Sequence, residues 1–267
     1  MADQFRAYLH LLRGQARSQA AYRASFTTDL LSTATGIVFD LLTVVVLFRA
    51  TRELGGFSLT EALVIVGLSA SAFALADTSV GNIDLLGFYV RTGLLDAVLV
   101  RPLGVLPQLV LSNVPLRKLS RAGIAVAVLV AALWQAEIEW TPARAALTVL
   151  TPLAGAVFFG SIFVGSASLN FWWTDAGEVS KAFTYGGRDL TAYPITVYGA
   201  WFRAVFAFAL GFGFVGYYPA LALLGRADPL GLPPWVGWAS PAVAVVAAAA
   251  AATVWRAGVR RYRSTGS

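Results

Sequence analysis

Residues 145–173, AALTVLTPLAGAVFFGSIFVGSASLNFWW, contain no charged side chain. A helix of about 20 apolar residues crosses the hydrocarbon core of a membrane. In lipid the backbone must satisfy its own hydrogen bonds, and a helix does so within one segment. We therefore expect a transmembrane helix over residues 147–172, and Trp172 and Trp173 are typical of its interfacial end.

The composition of the whole chain also indicates a membrane protein. Of its 267 residues, 58% are hydrophobic and 13% are charged, whereas soluble domains carry about 25% charged residues. So few charges cannot cover a water-facing surface. The chain has no cysteine and one histidine, His10, which excludes a disulfide framework, a thiolate zinc site and a cysteine nucleophile.

Apolar runs along the chain predict an all-α integral membrane protein with six transmembrane helices in a single domain, residues 1–267. The expected spans are residues 30–48, 59–76, 122–135, 147–172, 203–224 and 236–255. Residues 1–25 predict an amphipathic N-terminal helix, either on the membrane surface or leading in from the cytoplasm. Residues 174–202 are expected to form a long cytoplasmic connection ending in an interfacial or partly inserted helix.

Basic residues set the expected orientation. With the N and C termini cytoplasmic, the inner segments hold 16 of the 20 Lys and Arg residues, as the positive-inside rule requires. The net charge of +6 therefore indicates topology and no nucleic-acid partner. Frequent alanine and only two lysines are typical of a bacterial genome rich in G and C, so we expect the bacterial cytoplasmic (inner) membrane.

The sequence lacks the motifs of an ATPase or an intramembrane hydrolase. Neither lysine, Lys118 or Lys181, follows a glycine as a phosphate-binding loop requires. Gly211, Gly213 and Gly216 match a dinucleotide-binding spacing, but they lie in an apolar run without a preceding strand, so we interpret them as close helix packing. We expect no catalytic residue, metal site or cofactor in this chain.

Two acidic residues belong to the region of the first predicted span: Asp29 directly precedes it, and Asp40 interrupts it. Asp29 and Asp40 are about three turns apart and so share one helix face. Carboxylates at such depth usually face the protein interior or a water-filled path. They are candidate transport-pathway residues for a cationic or amphipathic substrate. The alternative is that each pairs with a basic residue or a helix end.

The loop between the second and third spans, residues 77–121, is too long for a tight turn and too apolar for a solvated linker. Within residues 83–103, apolar and charged side chains alternate at helical spacing. We predict an amphipathic helix on the inner face, which can rest on lipid or dock into a groove on a partner.

Three stretches in this order resemble a subgroup of ABC-2-type (ATP-binding cassette) exporter permeases. They are Val90-Arg91-Thr92-Gly93-Leu94-Leu95-Asp96, continuing through Leu99 to Arg101-Pro102-Leu103; Tyr193-Pro194-Ile195 with Tyr198; and the tail Arg261-Tyr262-Arg263-Ser264-Thr265-Gly266-Ser267. No single stretch is specific for this subgroup. The three stretches in this order, together with six predicted spans and no nucleotide-binding motif, form a specific combination.

The resemblance implies that the inner-loop helix is a coupling helix to a separate ABC ATPase subunit, which would bind ATP and Mg. A second permease chain is expected, giving a homodimer or heterodimer. The coupling candidates carried over to this sequence are Arg91, Gly93, Asp96, Arg101 and Pro102. Without the resemblance, Arg91 and Arg101 would be assigned to anionic membrane lipids and Asp96 to a local cap or pair.

The expected function is that of an exporter permease for an amphipathic, lipid-like or drug-like substrate. One alternative is an ion-gradient-driven secondary transporter or channel that uses Asp29 and Asp40 as relays. Another is a membrane scaffold without transport activity.

Overall fold

The computed structural model describes residues 53–111, 116–173 and 176–263, together with scattered positions between 28 and 51. These residues are mostly helical, and no β-strand occurs among them, so the all-α prediction is confirmed. The predicted N-terminal helix of residues 1–25 and the last four residues lie outside the described part of the chain.

Ten α-helices follow one another along the described residues after residue 53. They are α1 (Leu59–Val80), α2 (Leu86–Arg91), α3 (Leu94–Leu99), α4 (Val105–Leu111), α5 (Leu116–Gln135), α6 (Pro142–Ala167), α7 (Gly177–Thr191), α8 (Ala200–Phe202), α9 (Tyr217–Leu224) and α10 (Ser240–Arg261). Shorter 3₁₀ turns connect several of them, and α8 continues into a wider helical segment, Arg203–Ala209.

Four of these helices belong to segments long and apolar enough to cross a membrane: Leu59–Arg91, Lys118–Gln135, Pro142–Phe171 and Ser240–Arg261. They coincide with the predicted second, third, fourth and sixth spans. All described positions between 28 and 51 are helical, and Phe48 is buried against Ala62 of α1. The first span, 30–48, remains a prediction.

Local sequence signals fix where two of the long helices begin. Ser58 and Glu61 form a capping box at α1, in which each backbone N–H donates to the other residue's side chain. The Thr141 side chain accepts a hydrogen bond from the Arg144 N–H, and Pro142 occupies the first position of α6.

Helix α1 packs closely against both α5 and α6 because small residues let the backbones approach. A Cβ atom at Gly67 would lie 2.8 Å from the Leu129 Cα of α5, and one at Gly155 of α6 would lie 2.6 Å from the Ala72 Cβ. Glycine at these positions therefore permits the central three-helix contact.

The helix directions define two ends of the bundle. Gly155 of α6 faces Ala72, and Gly160 faces Val80, so α1 and α6 run in the same direction. Helix α10 follows α6 in parallel, since Gly165 faces Ala251 and Gly258 faces Phe171. Helices α1, α6 and α10 all finish at one end of the bundle. We call it the loop end, because residues 81–111 follow α1 there. The other end is called the opposite end.

Helix α7 crosses the bundle from the loop end towards the opposite end. Near its start, the Ser180 hydroxyl lies 2.9 Å from that of Ser166, close to the end of α6. After its end, the Thr196 hydroxyl donates to the Gly55 carbonyl oxygen at 2.8 Å, just before α1 begins. This placement differs from the connection on one side of the membrane that the sequence predicts for residues 174–202.

The polar composition of α7 explains why the sequence analysis missed this crossing. Its charged residues include Arg188, whose guanidinium lies 5.6 Å from the centre of the Phe73 ring inside the bundle. A cation against an aromatic face is tolerated away from water, and intramembrane charges commonly face the protein interior. Hydropathy alone gives such a helix a low score.

Residues 203–224 do not form the continuous fifth span that the sequence predicts. Ala200–Ala209 and Phe212–Leu224 meet at an angle of 66°. The chain enters this helix pair after Thr196, at the opposite end. It leaves the pair before Arg226, which forms an ion pair with Glu61 of α1 at the same end. We call residues 200–224 the re-entrant hairpin, because it enters and leaves at one end.

The tip of the re-entrant hairpin reaches the middle of the bundle. Phe212 stacks edge to face on Phe158 of α6, with ring centres 5.2 Å apart. Gly211 makes the bend with φ +84°, a conformation that suits glycine. Gly216 lies directly against Ser69 of α1, which agrees with the packing role predicted for these glycines.

The crossing of α7 can be tested by cysteine labelling, because the natural chain contains no cysteine. We expect Val197→Cys and Ala227→Cys to react with a membrane-impermeant maleimide from one side of the membrane. Val100→Cys, 85% exposed at the loop end, should react only from the other side. Labelling of residues 197 and 100 from the same side would contradict the crossing.

The bend can be tested by replacing its glycine. Gly211→Ala should lower the free energy of unfolding by about 1–2 kcal/mol, the cost of a left-handed conformation for an L-residue. A Cβ there would also lie 2.9 Å from the Val243 side chain. Gly123→Ala in α5, where a Cβ meets nothing within 4 Å, should be neutral or stabilising. Thermal unfolding in detergent measures both variants.

Candidate coupling surface

Two short helices at the loop end, joined by a tight turn, form a unit that we call the α2–α3 hairpin, residues 86–99. Gly93 joins them with φ +71°. Its N–H donates to the Val90 carbonyl oxygen at 3.4 Å, and its own carbonyl accepts from the Asp96 N–H at 3.1 Å. The single amphipathic helix expected within residues 83–103 is thus broken at this glycine, because a left-handed residue cannot continue a helix.

The α2–α3 hairpin buries one apolar face and exposes another. Leu86, Val90, Leu95 and Val98 pack into the core of the loop end. On the outer side, large apolar residues stay open to solvent, and Val100 just after the hairpin is 85% exposed. Exposed apolar patches with a polar rim mark interaction sites. We call this exposed set the coupling surface: Phe88, Arg91, Leu94, Leu99, Val100, Arg101 and Pro102.

The structure brings all five predicted coupling residues to this region but gives them different positions. Arg91, Arg101 and Pro102 are exposed on the coupling surface, whereas Gly93 forms the turn and Asp96 is only partly exposed beside it. The two pathway candidates, Asp29 and Asp40, lie outside the described residues.

The C-terminal end of the described chain packs against the α2–α3 hairpin. The Tyr262 ring lies 6.2 Å from that of Phe171, and its hydroxyl lies beside the Asp96 carboxylate. Burial, and secondarily this carboxylate, raise the pKa of Tyr262. Two of the three stretches that carry the family resemblance, the inner loop and the tail, therefore meet in space.

Polar side chains also tie the loop after the hairpin to α4. Gln108 donates from its amide nitrogen to the carbonyl oxygens of Val98 and Leu103, at 3.1 and 3.0 Å. Asn82 donates in the same way to Val110 at 2.9 Å. These bonds satisfy backbone acceptors at the end of α3 and hold residues 81–111 as one unit.

A buried ion pair anchors this unit to the transmembrane helices. Asp77, in the last turn of α1, is 3% exposed and lies 2.8 Å from the Lys118 ammonium and 3.5 Å from the Arg121 guanidinium. Lys118 also donates to the Asp77 backbone carbonyl at 3.1 Å. The two cations at the start of α5 compensate a carboxylate that would otherwise be unpaired away from water.

A second contact joins the hairpin to α7. The Tyr185 hydroxyl donates to the Asp84 carboxylate at 3.1 Å, and Asp84 lies in the 3₁₀ turn Gly81–Leu85 just before α2. Two residues further along α7, Gly187 lies directly against Phe212 of the re-entrant hairpin. A continuous series of contacts therefore connects the region of the coupling surface with the tip of the re-entrant hairpin.

Sequence reasoning missed these three long-range contacts of Asp77, Asp84 and Asp96. Each joins residues from helices far apart in the chain, so no local spacing indicates them. Lys118 and Arg121 enter the sequence analysis as basic residues counted for topology, without an acidic partner. Among the described residues, no group of three or more His, Asp or Glu side chains lies close enough to hold a metal ion.

Comparison with protein families identifies the chain. The family described as ABC-2 family transporter protein matches residues 35–266. The chain belongs to this family. The match includes the coupling surface, α7, the re-entrant hairpin and Tyr262, so the resemblance seen in three short stretches extends along most of the sequence. Comparisons with curated proteins and with solved structures gave no match.

Membership establishes this ABC-2 chain as a multi-pass membrane protein of the transporter class. ABC-2 proteins are the membrane subunits of transporters, and membership implies an ABC ATPase as partner. Among the described residues, the coupling surface has the exposed apolar and basic side chains that a protein partner requires.

The buried ion pair predicts a specific loss of stability. Lys118→Met leaves Asp77 buried with only the more distant Arg121, so we expect a loss on the order of 3 kcal/mol in unfolding free energy. Lys118→Arg retains a cation and should cost far less. Thermal unfolding of the purified protein in detergent measures the difference.

The control is the same substitution at an exposed pair. Lys181 lies 2.9 Å from Glu178, but these side chains are 52% and 85% exposed, and exposed pairs contribute little. Lys181→Met should therefore leave the unfolding temperature nearly unchanged. Equal effects at residues 118 and 181 would contradict the anchoring role of the buried pair.

Proposed function

We propose that this chain is the permease subunit of an ABC exporter that moves an amphipathic, lipid-like or drug-like substrate across the bacterial cytoplasmic membrane. A separate ATPase subunit binds ATP and Mg²⁺ and drives transport by alternating access. A second permease chain, identical or similar, completes the central path. Family membership supports the assignment to the ABC transporters. The coupling surface supports the proposed position of the ATPase contact.

The observation that carries the proposal is the exposure of apolar side chains on a fixed element. Phe88 and Leu94 are 49% and 46% exposed, and Val100 is 85% exposed, while the opposite face of the α2–α3 hairpin is buried in the core. A short helix with an exposed apolar face fits a groove on a protein partner. Arg91 and Arg101 at its rim can pair with acidic groups there.

The contacts inside the bundle suggest how movement is passed on. When ATP closes the ATPase, the α2–α3 hairpin shifts with it. The Tyr185–Asp84 hydrogen bond carries the shift to α7, and Gly187 carries it to Phe212 at the tip of the re-entrant hairpin. The ATPase supplies the difference in affinity between two states that such a switch requires.

The charge distribution supports an orientation with the loop end in the cytoplasm. The proposed crossings are then the predicted first span, residues 30–48, together with α1, α5, α6, α7 and α10, an even number that keeps both termini on one side. Compared with the expectation from sequence, Arg203 moves to the outer side and Arg188 into the bundle. Fourteen of the 20 basic residues remain on the cytoplasmic side, which still satisfies the positive-inside rule.

Asp29 and Asp40 remain the proposed pathway residues. The competing proposal, a secondary transporter driven by an ion gradient, would use the same two carboxylates as relays. Such transporters commonly contain broken helices, and the re-entrant hairpin is broken at Gly211. The two proposals differ in their energy source, so dependence on ATP separates them.

The experiment tests the coupling surface directly. The chain is co-expressed with a candidate ABC ATPase, and both co-purification and ATP-dependent transport in proteoliposomes are measured. Val100→Asp places a charge in the apolar surface, so we expect at least a tenfold loss of ATPase binding and of transport. Hot-spot substitutions in the centre of an interface commonly cost about 2 kcal/mol or more.

Ala227→Asp is the matched control, since it introduces the same charge at an exposed residue of the opposite end. It should leave ATPase binding unchanged. If Val100→Asp binds the ATPase normally while the protein stays monodisperse, the coupling surface is wrong. If transport ignores ATP and collapses with the proton gradient, the secondary-transporter proposal replaces the exporter.

A further inference from the structure

An open groove of about 750 Å³ runs along the outside of the bundle between α1, α6 and α10. Its floor is the small-residue face of α6, including Ala156 and Gly160, and its walls are Leu75 of α1 and Ala252 of α10. All these residues lie within segments that can cross a membrane. The groove is therefore apolar and faces the hydrocarbon region of the bilayer.

The groove ends at the loop end in a different chemical environment. Trp255 and Arg256 of α10 line it there, and Arg260 lies one turn further on the same helix face. Trp and Arg at this position are typical of the membrane interface. In the described part of the chain, neither Arg256 nor Arg260 forms an ion pair with an acidic side chain.

Helix α10 is also the candidate span with the smallest buried fraction, 17% against 28–61% for the other three. Its open side therefore faces something outside this chain. An apolar channel at bilayer depth that leads to two unpaired arginines at the interface matches a single molecule with a hydrocarbon chain and an anionic head.

We propose that the groove is a binding site for an anionic phospholipid. One acyl chain lies between α1 and α10 over Ala156 and Gly160, and the phosphate of the head group rests against Arg256 and Arg260. Basic pockets between transmembrane helices on the cytoplasmic side bind anionic lipid head groups in this way. The site is separate from the coupling surface and does not depend on the exporter mechanism.

The site touches the element that leads away from the coupling surface. Leu106 of α4 lines the groove at the loop end, and α4 is held to the α2–α3 hairpin through Gln108. A lipid in the groove therefore packs against residues 81–111 from the membrane side. Occupancy should stabilise that unit, and this gives the proposal a readout that requires neither ATPase nor transport.

The experiment compares two lipids on the full-length protein alone. Native mass spectrometry measures retention of phosphatidylglycerol and of zwitterionic phosphatidylcholine at equal concentrations, with thermal unfolding as the second readout. We expect phosphatidylglycerol to be retained preferentially and to raise the unfolding temperature more. Glycerol phosphate, which lacks acyl chains, should not displace it.

Arg256→Gln and Arg260→Gln should each lower the preference for phosphatidylglycerol by about fivefold, the contribution of one basic residue near a charged membrane surface. Arg261→Gln is the matched control, because residue 261 lies on another face of α10. An equal loss with Arg261→Gln, or an unchanged preference with both test variants, would overturn the head-group site.

The apolar part of the site is tested by filling the groove. Ala252→Phe should reduce retention of both lipids, whereas Val254→Phe on another face of α10 should not. A helix from a second copy of the chain is the other possible occupant. If Ala252→Phe changes the oligomeric state by mass and leaves lipid retention unchanged, the groove is a protein interface and the lipid proposal is wrong.

Discussion

The loop end of this ABC-2 protein depends on the carboxylate of Asp77, buried where α1 meets α5. In a low-dielectric environment this charge requires compensation, and Lys118 at 2.8 Å supplies it. The pair fixes the end of one helix to the start of the next. It also fills the space above Gly81, where a Cβ would contact both partners. The 3₁₀ turn Gly81–Leu85 follows directly, so the α2–α3 hairpin begins from a defined position.

Hydropathy predicted the membrane segments wherever the chain meets lipid. Residues 59–76 and 122–135 fall within the observed long helices, and residues 147–172 and 236–255 overlap them over most of their length. The same criterion did not select α7, because Lys181, Arg188 and Asp189 lower its hydropathy; Arg188 lies over the Phe73 ring, whereas Lys181 and Asp189 are exposed. For residues 203–224 the criterion predicted a span that is not continuous, because this apolar segment turns back at Gly211. Apolar composition indicates that a segment is removed from water, but it does not indicate whether the segment crosses the membrane.

The residues of the candidate site could be predicted from the sequence, but their arrangement in space could not. The amphipathic pattern indicated an inner-loop helix, and the family resemblance selected Arg91, Gly93, Asp96, Arg101 and Pro102. Only the structure separates the exposed arginines from Gly93, which forms a left-handed turn, and from Asp96, which lies beside Tyr262. That separation depends on tertiary packing of Phe171 and α10, and no local spacing encodes it. Whether these residues couple to an ATPase stays a prediction.

The contact between Tyr262 and the α2–α3 hairpin has a consequence for biosynthesis. Asp96 is inserted into the chain early, whereas its partner follows 166 residues later. The hairpin can fold locally as soon as α1 and α5 are in place, but it gains this last support only when α10 has been inserted. Assembly with an ATPase would then favour completed chains, and a permease truncated within α10 would present a loosened surface to its partner.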